Sequence, residues 1–107
     1  MSETLLVLTN APDPETADAI ARCLVDQRLA ACVNVLAPCR SVYRWENKIE
    51  DATEIPLWIK TTSTRYAEVA RTITRHHPFD TPEILAFPVS CGLPAYLDWV
   101  AQETSGN

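Results

Sequence analysis

Two long strand-like runs joined by a tight turn constrain this chain more than any other feature. "ACVNVLAPCRSVYRW" (31–45) is too long for an average strand, and a second run of the same character extends from Ile49 to Thr62. Between them, "WENK" places Glu46 and Asn47 at the centre of a two-residue turn, where Asn47 tolerates positive φ. A long antiparallel hairpin is therefore expected. Pro38 and Pro56 each lack an N–H donor, so bends, bulges or edge positions are expected there. At about 3.3 Å per residue the hairpin tip projects past a sheet of ordinary strands. It would expose Val42, Tyr43, Trp45, Ile49 and Trp58 unless another copy of the chain received them, so a closed homo-oligomer with paired or crossing hairpins is expected.

The remaining segments complete an alternating pattern. "TLLVLT" (4–9) is a continuous apolar run that suits a strand buried on both faces, and "NAPDPE" breaks it. A first helix follows, with Asp13 as cap, Pro14 in the first turn, Glu15 at the positive end of the dipole, and a stripe of Ala17, Ile20, Ala21, Leu24 and Val25. A second helix runs from about Thr64 to His76 or His77, with Tyr66, Val69, Ala70 and Ile73 on a stripe that continues to His77; Pro78 ends it. "EILAFPV" (83–89) reads as a strand. "LPAYLDWV" (93–100) reads as a short final helix with Tyr96, Trp99 and Val100 facing inward. The order β-α-β-β-α-β plus a terminal helix predicts an α+β, ferredoxin-like domain: an antiparallel sheet with helices packed on one face.

At 107 residues, 47% hydrophobic and 21% charged, the chain is expected to form one domain over 1–107. Ragged ends are expected at Met1 to Glu3 and at the polar tail Glu103 to Asn107. Fourteen acidic residues against nine basic ones, scattered, make nucleic acid and anionic membranes poor partners. "MSETLLVLTN" has an acid where a signal peptide needs a base, and no run reaches transmembrane length, so a cytoplasmic protein is expected. Cys23, Cys32, Cys39 and Cys91 form no CxxC pair and read as reduced thiols.

"LAACVNVL" (29–36), "SVYRWENKIE" (41–50), "EIPLWIKTT" (54–62), "HHPFDTPEI" (76–84) and "GLPAYLDWV" (92–100) together resemble the CutA divalent-cation-tolerance family, in the family's order and over essentially the whole chain. The resemblance implies a ferredoxin-like protomer in a tight, PII-like homotrimer concerned with tolerance to copper and other divalent cations; with the features above, a cytoplasmic, non-enzymatic protein is expected. The resemblance assigns no reaction; no required cofactor is expected, and at most weak binding of copper or another divalent cation is expected. It also implies that His76 and His77 are copper ligands together with a cysteine on the first strand. This chain has Thr9 at that position, and a hydroxyl is a poor copper ligand. Adjacent helical residues point about 100° apart, so the pair also reads as a helix end, one ring packed and one wet.

A second constellation lies in the hairpin: Tyr43, Trp45, Glu54 and Lys60. Joined by His77 at a subunit boundary, these would offer an acid, a base and an aromatic wall to a small polar ligand, as in a PII-like signalling trimer. Equally, Glu54 and Lys60 suit an interface ion pair, with Tyr43 and Trp45 as anchors. Enzyme readings fare worse. The acidic loop "NAPDPETA" repels the anion that an acylphosphatase-type cradle needs, and no nucleophile sits in an elbow motif. RNA binding through the sheet would need exposed aromatics among basic residues, whereas "LLVL" and "ILAF" occupy it.

Overall fold

The computed structural model describes residues 3–106. Along the chain it has β1 (Thr4–Ala11), α1 (Pro14–Asp26), β2 (Cys32–Val35), β3 (Cys39–Trp45), β4 (Lys48–Thr62), α2 (Tyr66–His76), β5 (Ile84–Pro88) and α3 (Pro94–Glu103), with a 3-10 turn at Ser63–Arg65 before α2. Local chemistry sets most of these boundaries. Asp13 is extended and its carboxylate accepts from the Thr16 N–H at 2.7 Å, capping α1, while Pro14 occupies the first turn. At the other end Arg28 takes φ 58°, and Leu29 N–H closes on the Leu24 carbonyl at 2.9 Å. α2 stops at His77, whose backbone is extended because Pro78 follows it.

All strand pairs are antiparallel, in the order β2-β4-β1-β5, with β3 pairing β4 beyond β2. The expected hairpin forms, and both turn residues adopt positive φ: Glu46 at 49° and Asn47 at 64°. Its first arm is split. Val35 stands opposite Leu57 but Cys39 stands opposite Glu54, so residues 36–38 carry one residue more than β4 does over the same span. This is the bulge expected at Pro38. Pro56 sits mid-strand, and its carbonyl accepts from Leu36 N–H at 2.9 Å. Its missing donor therefore points at the break between β2 and β3, where no ladder bond is lost.

One face of the sheet carries the core. Leu5, Val7, Thr9 and Ala11 alternate inward from β1, and Ile55, Leu57, Ile59 and Thr61 from β4. They meet Ala17, Ile20 and Leu24 of α1 and Val69 and Ile73 of α2. The strand at 4–9 is thus not buried on both faces: Leu6 and Leu8 point away from α1 and α2 and are half-buried. Val25, assigned to the α1 stripe, is exposed, because α1 ends beside it.

The helices do not all share one face. α3 packs on β1 and β4, and Tyr96 lies beside Cys32, whose thiol shares the Lys60 side of the sheet. Of the three residues expected inward from α3, Val100 is fully buried, whereas Tyr96 and Trp99 are exposed, with ring centroids 5.5 Å apart. α3 also runs three residues further than expected, and the tail is held rather than ragged. Arg28 Nη2 donates to the Gln102 carbonyl, Arg65 Nε to that of Thr104, and the buried Thr104 hydroxyl to Val100. Glu3 is likewise tied to Ser63 through two hydrogen bonds. Met1, Ser2 and Asn107 of the expected ragged ends lie outside the described residues.

Candidate ligand site and subunit face

The two histidines differ in what they can still bind. The His77 ring is 7% exposed. Its Nε2 lies 2.8 Å from the Asn10 carbonyl and its Nδ1 is 3.2 Å from the Phe79 N–H. A carbonyl only accepts and an N–H only donates, so the ring is the neutral Nε2–H tautomer with both nitrogens engaged. Phe79 stacks at 4.8 Å, tilted by 58°. At the end of α2, His76 Nδ1 must donate to the Thr72 carbonyl at 3.0 Å, which leaves its Nε2 lone pair free on a half-buried ring. The pair thus splits into one packed imidazole and one with an open nitrogen.

Thr9 stands in the core, and its hydroxyl has no hydrogen-bond partner among the described residues. Nearby, Asn10 Nδ2 donates to Glu83 at 3.0 Å, tying β1 to the loop before β5. Among the described residues no group of three or more His, Cys, Asp and Glu side chains is placed to hold a metal ion. The four cysteines are free.

Register places the hairpin residues. Tyr43 pairs with Glu50, Trp45 with Lys48 and Cys39 with Glu54, so Tyr43 and Trp45 share a face with the even-numbered residues of β4. Those include Glu54, Trp58 and Lys60. The bulge brings all four candidates onto one face, although Glu54 and Lys60 stand about 20 Å apart along β4 at the usual rise per residue. They do not pair within one chain. Lys60 Nζ instead hydrogen-bonds Asn34 Oδ1 and lies 3.8 Å from Cys32 Sγ. Burial, together with the adjacent Cys32, pushes the Tyr96 hydroxyl above its ordinary pKa.

Cys32, Asn34 and Tyr96 went unrecognised in the sequence as companions of Lys60. The available signal was parity: with no bulge between 32 and 35, both even positions of β2 oppose even positions of β4.

The same face exposes a large apolar surface. Trp58 is 44% exposed, and Leu85 and Phe87 of β5 lie opposite Leu8 and Leu6 on the same side. Tyr43 and Trp45 on the hairpin arm, with Tyr96 and Trp99, extend the exposed set, while Val42 and Ile49 are exposed on the opposite face of the arm. Isolated soluble domains rarely leave so many aromatics uncovered.

An α+β domain with an antiparallel sheet, one face roofed by two helices and the other largely bare, is the class this geometry defines. The chain belongs to the CutA1 divalent ion tolerance protein family, whose model matches residues 5–103. It is 38% identical to a divalent-cation tolerance protein CutA of Thermus thermophilus over 92% of this chain and 96% of that one. The crystal structure of CutA from Xylella fastidiosa superposes with a TM-score of 0.94 at 41% identity, covering 97% of this chain and all of that one. The Archaeoglobus fulgidus protein, described as the periplasmic divalent cation tolerance protein CutA, superposes with a TM-score of 0.92 at 39% identity over 95% and 99% of the two chains. No helix among the described residues is long and apolar enough to cross a membrane.

Proposed function

We propose that this chain is the single-domain protomer of a cytoplasmic, PII-like homotrimer that acts without catalysis in tolerance to divalent cations. The observation that carries the reading is the bare apolar face: Trp58, Leu85 and Phe87 on the sheet, continuous with the hairpin arm, need a partner of like character, and a second copy supplies one. The strand order β2-β4-β1-β5 with α1 and α2 on one side supports the ferredoxin-like description. The names of the Thermus thermophilus and Archaeoglobus fulgidus relatives, divalent-cation tolerance proteins, support the cation role. In this reading copper or another divalent cation is held weakly, with His76 Nε2 as the imidazole ligand and the remaining groups supplied by neighbouring copies or solvent. His77 is the structural member of the pair, and no cofactor is needed.

A second reading rests on a separate observation. Lys60, Asn34, Cys32 and Tyr96 form a polar cluster inside an otherwise apolar face. At a subunit boundary, joined by Glu54, Tyr43 and Trp45 of another copy, they would form a cleft for a small polar metabolite, as in a signalling trimer. Calorimetric titration of the reduced assembly with copper and zinc separates the two. Binding that vanishes in His76→Ala but persists in Lys60→Ala supports the metal reading. Unchanged copper affinity in His76→Ala removes His76 as ligand. Saturable metabolite binding under chelation, lost in Lys60→Ala, supports the second reading.

A further inference from the structure

α2 and the 3-10 turn that leads into it carry more positive charge on one face than the fold requires. Arg65, Glu68, Thr72 and Arg75 recur at helical spacing, Arg71 flanks them, and this stripe faces the end of α1 across a cavity of about 290 Å³ lined also by Gln27 and Leu29. The floor is firm: Leu29 and Thr72 are buried. Three guanidinium groups against one carboxylate line this hollow in a chain whose formal charge is −5.

The three arginines have different duties. Arg65 is committed, donating to the carbonyls of Thr104 and Gly106 and to Glu68 at 3.0 Å, which also uses the only acid in the lining. Arg71 and Arg75 make no hydrogen bond or ion pair among the described residues. They stand one turn apart, where like charges repel and weaken a helix. Arg75 has a reason to be there, since cations in the last turn oppose the helix dipole. Arg71 has no such reason.

We infer that this cavity is a binding site for a small, multiply charged phosphate-bearing molecule, with Arg71 and Arg75 as its ligands. Each guanidinium offers a planar fork that matches phosphate oxygens in pairs, and two forks from adjacent turns can grip a diphosphate from one side. Arg65, fixed by the tail of α3, adds field without needing to move, and the Gln27 amide and Thr72 line the remainder. The volume lies at the small end for ligand sites, which suits a compact ion rather than a whole nucleotide. The site is on the α1–α2 side, away from the bare face, so it does not depend on the cation role.

The test is calorimetric titration of the assembled protein with inorganic pyrophosphate in metal-free, low-salt buffer. One saturable site per chain is expected. The double variant Arg71→Gln/Arg75→Gln should bind at least roughly tenfold more weakly, as loss of charge-assisted contacts requires. Arg22→Gln removes one positive charge from an exposed α1 pair with Asp18, outside this cavity, and should leave affinity unchanged. Absence of saturation, or equal weakening by Arg22→Gln, would overturn the site. Citrate binding as tightly as pyrophosphate would overturn the phosphate assignment.

Discussion

Thr9 shows how one buried atom bears on both stability and function. Its hydroxyl is enclosed without a partner, a condition that costs roughly 1–3 kcal/mol. Thr9→Val keeps the shape and removes the orphaned oxygen, so it should raise the unfolding free energy by about 1 kcal/mol, measured by chemical denaturation of the protein. Asp13 acts in the opposite sense. Hydrogen bonds from Thr16 hold its carboxyl below the ordinary 3.8. Its folded-state pKa therefore lies under its unfolded one, so its contribution is complete above 3.8 and is lost as pH falls through the lowered value. Asp13→Ala should lower the thermal midpoint at neutral pH, with the difference from the parent narrowing in acid; a gap constant with pH would contradict the charged cap. Asp13, Pro14 and the histidine–proline helix end were legible in sequence because each acts on its nearest neighbours. The split into one packed and one open ring was legible too, from the stripe that continues to His77; the partner that fixes His77, the Asn10 carbonyl on a distant strand, was not.

At the scale of elements, the hairpin was readable and its interruption only partly so. Period-two apolar runs and the Glu46-Asn47 pair announced two arms and a turn. Pro38 announced a defect, but its sign, one extra residue on the β2–β3 side, emerges only from pairing with β4. That single residue decides which side of the ribbon Tyr43 and Trp45 take, and hence whether they can join Lys60. The turn itself is imperfect: Glu46 sits at φ 49°, a conformation that costs a residue with a Cβ about 1 kcal/mol or more. Glu46→Asn together with Asn47→Gly matches the preference of a turn with two positive φ values and should stabilise the protein by about 1 kcal/mol. An unchanged or lowered denaturation midpoint would contradict the strain assigned to Glu46. α3 was placed in sequence but given no side of the sheet, because nothing local records that Arg28 and Arg65 reach across to its final carbonyls.

The whole molecule is lopsided: α1 and α2 cover one side of the sheet, while α3 covers only part of the other. Sequence anticipated the exposed hairpin aromatics from length alone. Leu85 and Phe87 escaped notice because an apolar strand of five residues looks the same whether its second face meets a helix or another chain. The proposed assembly would cover Trp58, Tyr43, Trp45, Leu85 and Phe87 together. Trp58→Asp, which sets a carboxylate on this face while leaving the α1–α2 core untouched, should break the assembly without unfolding the protomer; retained helical and sheet signal in a smaller species would report this. The most direct measurement is the mass of the unmodified protein in solution by sedimentation equilibrium at micromolar concentration. A single species at three times 11.9 kDa is expected. A species at 11.9 kDa, stable on dilution and free of aggregation, would contradict the subunit face on which the account rests.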